Sequence, residues 1–345
     1  LLEQLAEGGR LVIPVGTHWQ ELKQLKKIEG KIVSKSIIPV RFVPMLRAQE
    51  SKKGDDRTVN MLENLKRHTI KLSQEIGERN YVFYQNLERA ADYIKKEFKS
   101  YGYEVKEQVY YLEAKPFRNI IAVKEGKSHS DKIIVVAAHY DSVVGSPGAD
   151  DNASAVAGLL ELARIISEYN LGNTVKFIAF VNEEPPFFMN KDMGSFRYAE
   201  EAKRRGDKIE AMLCLESIGY YSEGKKSQKH PAGLGFFYPD KANFIAAVSN
   251  ISSYPLLKKV VREFKKASSF PMEHLVAPVL LAPAISFSDH WSFWKFGYQA
   301  VMLTNTAFYR NPYYHTPRDT YEKLNYEYMA EVVGGLYYVI LNLAT

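Results

Sequence analysis

The chain has 345 residues, of which 46% are hydrophobic and 25% charged, with 21 glycines and 15 prolines; this is ordinary globular usage and excludes a disordered, collagenous or coiled-coil protein. A single cysteine, Cys214, excludes an internal disulfide framework and any Cys-X-X-Cys metal or redox motif, so a metal site here must draw on His, Asp and Glu. The net charge is +6, but the basic clusters Lys203-Arg204-Arg205 and Lys225-Lys226 have no interleaved aromatic residues, so they read as solvated surface and nucleic-acid binding is not expected.

The first elements are short strands, at Arg10-Leu-Val-Ile-Pro-Val-Gly16 and at Ile37-Ile-Pro-Val-Arg-Phe-Val43, separated by a charged stretch and a Glu29-Gly30 turn. Residues 47–57 are polar and unpatterned and read as a linker. This divides the chain into a β-rich appendage (1–46), a linker (47–57) and a large domain (58–345).

Within the large domain helix and strand alternate. Leu87–Tyr101 is an amphipathic helix with Leu87, Ala90, Ala91, Ile94 and Phe98 on one face. Strands are expected at Asn119–Val123 and Ile133–Ala138, the second apolar enough to be buried on both faces. A helix over Ala153–Glu168 and a buried strand over Thr174–Asn182 follow. Later strands fall at Ala211–Leu215, Phe244–Val248 and Ala300–Leu303, and helices at Leu256–Lys266 and Tyr326–Leu341. The order implies an α/β fold with a largely parallel mixed central sheet covered by helices on both faces. No run nears the ~18 consecutive apolar residues of a membrane span. The composition leads us to expect a soluble protein; no basic segment followed by an apolar one is visible as a signal peptide, and no compartment is assigned.

In such sheets ligands bind beyond the carboxyl ends of the strands, and acidic and imidazole side chains collect there. The run Ile133–Ala138 delivers His139-Tyr140-Asp141, a candidate metal ligand with a carboxylate placed to orient it. Alone, such a histidine is ordinarily a hydrogen-bonded structural residue. Next, Gly148-Ala-Asp150-Asp151-Asn152-Ala-Ser154 sets two adjacent acids before a helix, where capping would need only one of them. The strand ending at Asn182 runs into Glu183-Glu184-Pro185-Pro186. Adjacent residues on extended backbone point to opposite sides, so one carboxylate can bind metal while the other faces water or substrate. Leu213-Cys-Leu-Glu216 repeats the pattern, and Asn311-Pro-Tyr-Tyr-His315 adds a second imidazole in a Pro-bounded loop.

These motifs, from roughly Arg67 to Thr345, resemble the co-catalytic dizinc aminopeptidases, relatives of glutamate carboxypeptidase and glutaminyl cyclase. The resemblance implies that His139, Asp151 and Glu216 surround one zinc and Asp151, Glu184 and His315 a second, with Asp151 bridging; Ser154 sets the register that selects Asp151 over Asp150. Ala155 stands where the family usually has Gly, and Glu216 where many members have Asp; neither change removes a donor. Oxygen and nitrogen donors without sulfur suit Zn²⁺, and Mn²⁺ or Co²⁺ fit the same set. The expected reaction is hydrolysis of N-terminal peptide bonds by a metal-bridging water, with Glu183 as general base and Tyr314 as a hydrogen-bond donor to the oxyanion. Asp141, and Asp289 and His290 of the Ser-Asp-His motif, are expected to support the ligands from behind. Trp291, Phe293 and Trp294 read as core, or with Phe187 and Phe188 as the wall of an apolar pocket. His18, His68, His129, His230 and His274 have no metal spacing. Peptides are the expected partners; the alternatives are a single-zinc glutaminyl cyclase, a carboxypeptidase and a non-catalytic peptide-binding domain.

A second, shorter resemblance covers residues 7–45. The text Gly8-Gly-Arg-Leu-Val-Ile-Pro-Val-Gly16 and Ile37–Met45 is similar to the C-terminal end of a protein-L-isoaspartate methyltransferase. The segment lacks the Gly-rich turn that would cradle S-adenosylmethionine, so it is expected to be an inert accessory hairpin.

Overall fold

The computed structural model describes residues 6–8, 10–15, 20–40, 60–231, 235 and 237–345. The chain divides into two compact units, Leu1–Arg57 and Thr58–Thr345. The first unit is a three-stranded antiparallel sheet of β1 (Arg10–Val15), β2 (Gln20–Ile28) and β3 (Lys31–Val40) in that order. The charged stretch between the expected strands is therefore itself the central strand. It went unread because Gln20-Glu-Leu-Lys-Gln-Leu-Lys-Lys lacks the β-branched and aromatic enrichment that marks a strand. The Glu29-Gly30 turn has both residues at positive φ, 51° and 73°. The expected strand end at 41–43 and the linker at 47–57 lie outside the described residues.

In the second unit the sheet is built around β6 (His129–His139). Its apolar run splits cleanly between two cores. Ile134, Val136 and Ala138 face one, and Ile133, Val135 and Ala137 the other, as the two-residue period of a doubly covered strand requires. β6 pairs in parallel with β7 (Asn173–Phe180) and β8 (Lys208–Glu216), and β8 in parallel with β11 (Ala300–Thr304). Outside this parallel centre the direction changes. β5 (Lys115–Lys124) lies antiparallel to β7 and β4 (Glu104–Leu112) antiparallel to β5. On the other side β9 (Ile245–Ser249) lies antiparallel to β11 and carries the parallel edge strand β10 (Met272–Val276). The full order is β10-β9-β11-β8-β6-β7-β5-β4.

The larger core is covered by α1 (residues 60–70), α2 (Tyr84–Ser100), α3 (Ala155–Ile166), α5 (Tyr254–Ala267) and α7 (Tyr326–Leu343). α4 (Gly194–Arg205) and α6 (His290–Lys295) cover the smaller one. Gly335 interrupts the apolar run of α7 for a packing reason: a Cβ there would collide with the ring of Phe264 on α5. Among the described residues no helix is long and apolar enough to cross a membrane.

α3 begins later than its apolar periodicity suggests. Residues Ala149–Ser154 form a wider turn in which Asp151 (φ −109°, ψ 91°) and Asn152 (φ −134°, ψ 32°) leave helical geometry. Both side chains are committed elsewhere, and that commitment brings the sheet's carboxyl edge to its site.

Candidate metal centre

Six side chains from five separate segments converge at the carboxyl ends of β6, β7 and β8. His139 ends β6, Glu216 ends β8, Glu183-Glu184 follow β7, Asp151 lies in the turn before α3, and His315 lies between β11 and α7. His139, Asp151 and Glu216 offer donor atoms within 4.8 Å of one another, and so do Asp151, Glu184 and His315. His139 Nε2 is 3.3 Å from Asp151 Oδ1 and 3.3 Å from Glu216 Oε2. His315 Nε2 is 3.0 Å from Asp151 Oδ2 and 3.4 Å from Glu184 Oε2. Asp151 thus gives one oxygen to each group. Glu183 belongs to neither, with its Oε2 3.8 Å from His139 Nε2.

The neighbouring acid, Asp150, has a different task. Its carboxylate accepts backbone N–H groups of Gly219 and Tyr220 at 2.8 and 3.0 Å and the side-chain amides of Asn305 and Asn311 at 2.9 and 2.8 Å. Its acceptors are spent, while Asp151 Oδ1 is buried with no hydrogen-bond partner. Asn152 donates to Leu215 O at 3.1 Å and accepts from Ser217 N at 2.8 Å, which pins the end of β8 and with it Glu216.

Three turns that bear candidate ligands carry left-handed backbone at residues other than glycine: Asn182 (φ 60°) before the paired glutamates, Ser217 (φ 47°) after Glu216, and His315 itself (φ 57°). Such conformations are costly and persist where the surroundings hold them in place.

Behind the candidate ligands, Asp141 accepts the backbone N–H groups of Glu183 and Glu184, both at 3.1 Å, and its Oδ1 lies 3.5 Å from His139 Nδ1. It therefore orients an imidazole and a pair of glutamates together. Of the Ser-Asp-His motif, the side chain that touches a ligand is Ser288, whose hydroxyl donates to Glu216 Oε2 at 2.7 Å. His290 instead pairs its Nε2 with Ile285 O at 2.6 Å and packs against Trp294, and Asp289 is buried close by. Tyr314 stacks on His315 with ring centroids 3.9 Å apart, so its ring supports that imidazole.

Three positions escaped the sequence reading. Asp319 accepts the backbone N–H groups of Asp150 and Asp151. Arg79, fully buried, donates to Tyr140 O, Pro147 O and Gly148 O, bracing the loop between His139 and Asp151. Ser288 is the third. In the sequence the first two leave only an arginine in the Gly77-Glu-Arg79 stretch and an acid four residues after His315.

The electrostatics call for cations. Asp141, Asp150, Asp151, Glu183, Glu184, Glu216, Asp289 and Asp319 are all buried. Burial and the charge of Asp151 push Glu184 up to about 7, and burial raises Glu183 well above the usual carboxylate range despite His139. Burial works against a proton on His315, but Asp151 and Glu184 overcome it and raise the imidazole to about 10. His139 is raised in the same way, burial being outweighed by Glu183 and Glu216. His139 Nε2, Asp151 Oδ1 and Glu184 Oε1 are buried without hydrogen-bond partners. Orphan donors of this kind, all nitrogen or oxygen, fit zinc.

A cavity of about 440 Å³ opens beside the centre, bordered by Glu216 and Tyr314 and walled by Phe244, Val248, Ile285 and Met302. The aromatic residues considered for such a wall lie elsewhere. Phe293 is fully buried against Phe180 and Tyr198, Trp294 bonds Ala300 O, and Trp291 meets Phe196. Phe187 and Phe188 do not line the cavity either, although Phe188 packs on Phe287, which does.

The model of peptidase family M28 matches residues 119–340. A second, the protein-L-isoaspartate(D-aspartate) O-methyltransferase model, matches residues 1–50. The uncharacterized protein YfbL of Escherichia coli is 37% identical over 289 residues, spanning 81% of this chain and 88% of its own length. A probable leucine aminopeptidase of Arthroderma otae is 29% identical over 62% of this chain, which spans about half (53%) of that relative. Among solved structures, BSAP, a zinc aminopeptidase from Bacillus subtilis, superposes with a TM-score of 0.68 at 15% identity, covering 82% of this chain and 95% of that one.

Proposed function

The chain belongs to peptidase family M28, and from that premise we propose that it is a zinc-dependent aminopeptidase that binds two zinc ions and releases N-terminal residues from peptides. The observation that carries this reading is the sharing of one carboxylate, Asp151, between two donor groups, in which His139 Nε2, Asp151 Oδ1 and Glu184 Oε1 are buried without hydrogen-bond partners. His139 and Glu216 would complete one site and Glu184 and His315 the other. Zinc bound there supplies electrophilic polarisation of the scissile carbonyl and lowers the pKa of water toward neutrality.

The chain's own residues supply the rest. Glu183 stands beside the donors without being one of them. It accepts the proton of the attacking water and passes it to the leaving amine. Asp141, through the N–H groups of Glu183 and Glu184, keeps base and ligand in fixed relation. The apolar cavity beside Glu216 receives the first side chain of the substrate and excludes water around it.

The test is product identity with zinc-loaded protein on Leu-Gly-Gly, N-acetyl-Leu-Gly-Gly and Gln-Gly-Gly. Free leucine from the first and nothing from the second is expected. Release of the C-terminal glycine from the acetylated peptide would mark a carboxypeptidase, and pyroglutamyl peptide from the third a cyclase.

A further inference from the structure

Apolar side chains stand exposed on a second flank of the metal centre, away from the cavity at Glu216. Tyr81, Val82 and Phe83 are 38%, 54% and 46% exposed, and Tyr81 meets Phe187 edge-on with ring centroids 5.7 Å apart. A contiguous apolar surface of this kind marks a binding site more often than chance exposure does. Both of its parts are tied to the loops that hold the ligands. Phe187 follows Glu184 across Pro185-Pro186, and its N–H bonds Glu184 O at 3.0 Å. Tyr81 follows Arg79, whose guanidinium bonds Tyr140 O at 2.7 Å and Gly148 O at 2.9 Å, and Arg79 O accepts from Ser142 N at 2.9 Å. The surface is therefore fixed in place relative to His139, Asp151 and Glu184.

A peptide in extended form sends successive side chains to opposite sides. With its first side chain in the cavity bordered by Glu216, the residue after the scissile bond is left facing the Glu184 flank. We propose that Tyr81, Val82 and Phe187 form a shelf that selects a large apolar or aromatic side chain at that second position. The preferred substrates are then short peptides beginning with two apolar residues. This rests on the aminopeptidase reading, which it deepens by adding a second specificity site.

The experiment measures release of leucine by the zinc-loaded full chain from Leu-Phe-amide, Leu-Gly-amide and Leu-amide. Burying a phenylalanine side chain is worth enough to favour Leu-Phe-amide over Leu-Gly-amide by about 10-fold or more in kcat/KM. Val82→Asp, at an exposed position, is expected to bring that ratio close to one, with the loss falling on KM, and Tyr81→Ser to lower it in the same direction. An equal ratio in the unaltered protein, or a ratio that survives both substitutions, overturns the shelf while leaving the peptidase intact. A general fold defect would lower every substrate together and keep the ratio, and so also counts against it. Absence of leucine release from all three substrates would overturn the aminopeptidase reading itself, and the shelf with it.

Discussion

The carboxylate of Asp319 accepts the backbone N–H of Asp151 at 3.2 Å, from a position four residues beyond His315. The same carboxylate holds Asp150 N at 3.0 Å, so the turn carrying the shared ligand is anchored from the loop that carries the second imidazole. Asp319→Ala removes that anchor without removing a ligand. Zinc affinity should fall by about 10–100-fold, the usual cost of losing such a supporting group, as read by competition with a chromogenic chelator. Unchanged affinity would show that the turn keeps its shape unaided.

Glu183→Gln separates proton transfer from metal binding. The carboxamide keeps the size of the side chain but cannot take a proton from water. Zinc content should match the unaltered protein while kcat for leucine release falls by about 10²–10⁴-fold. Loss of zinc in parallel with activity would assign Glu183 to the ligands instead.

Arg79→Met tests the charge balance. Arg79 carries a permanent positive charge felt by Asp141, Asp319, Asp151 and Glu184, although burial lowers its own pKa to about 10. Its removal leaves Tyr140 O, Pro147 O and Gly148 O without this donor and the acids without their counter-charge. Urea unfolding of the metal-free protein should show a loss of about 3–5 kcal/mol, and zinc should recover part of it.

Two histidines outside the ligand set give a pH dependence. Burial, reinforced by the charges of Arg67 and Arg164, lowers His68 to about 3, and burial lowers His290 to about 4 against a bond to Ile285 O. The ordinary value is about 6.5, so between these limits the unfolded chain binds more protons than the folded one. Their contribution to stability is complete above about pH 6.5 and declines as pH falls toward 4. Glu184 and His315 of the centre gain proton affinity on folding and act in the opposite sense, so the test is the comparison. Between pH 7 and pH 5 the urea midpoint should fall less, or rise more, in His68→Gln than in the unaltered protein. An equal change in the variant would place the acid sensitivity in other groups.

Much of this arrangement is legible in the sequence because strand ends announce themselves. An apolar run that stops at a polar pair gives both the buried strand and the residue delivered at its edge, as Ile133–His139, Phe177–Glu184 and Leu213–Glu216 show. The parallel centre of the sheet follows from the same runs. The choice between Asp150 and Asp151 does not, since it depends on amides from Asn305 and Asn311 some 150 residues away. Arg79, Asp319 and Ser288 act through long-range bonds that leave no periodic trace. β2 was missed because it is mostly polar and β4 because none of its residues is buried, and the cavity because its walls come from β9, β11 and the segment before α6, which are far apart in the chain. Neighbouring aromatic residues in sequence, Trp291 to Trp294, went to core and surface instead.

The central claim is that five side chains form one two-ion site around Asp151. Equilibrium dialysis of metal-stripped protein against buffered zinc, followed by elemental analysis, measures it directly. The account predicts two zinc ions per chain in the unaltered protein and fewer than one in Asp151→Ala, because both donor groups lose their common carboxylate. A single zinc in the unaltered protein, or two that persist without Asp151, would contradict it.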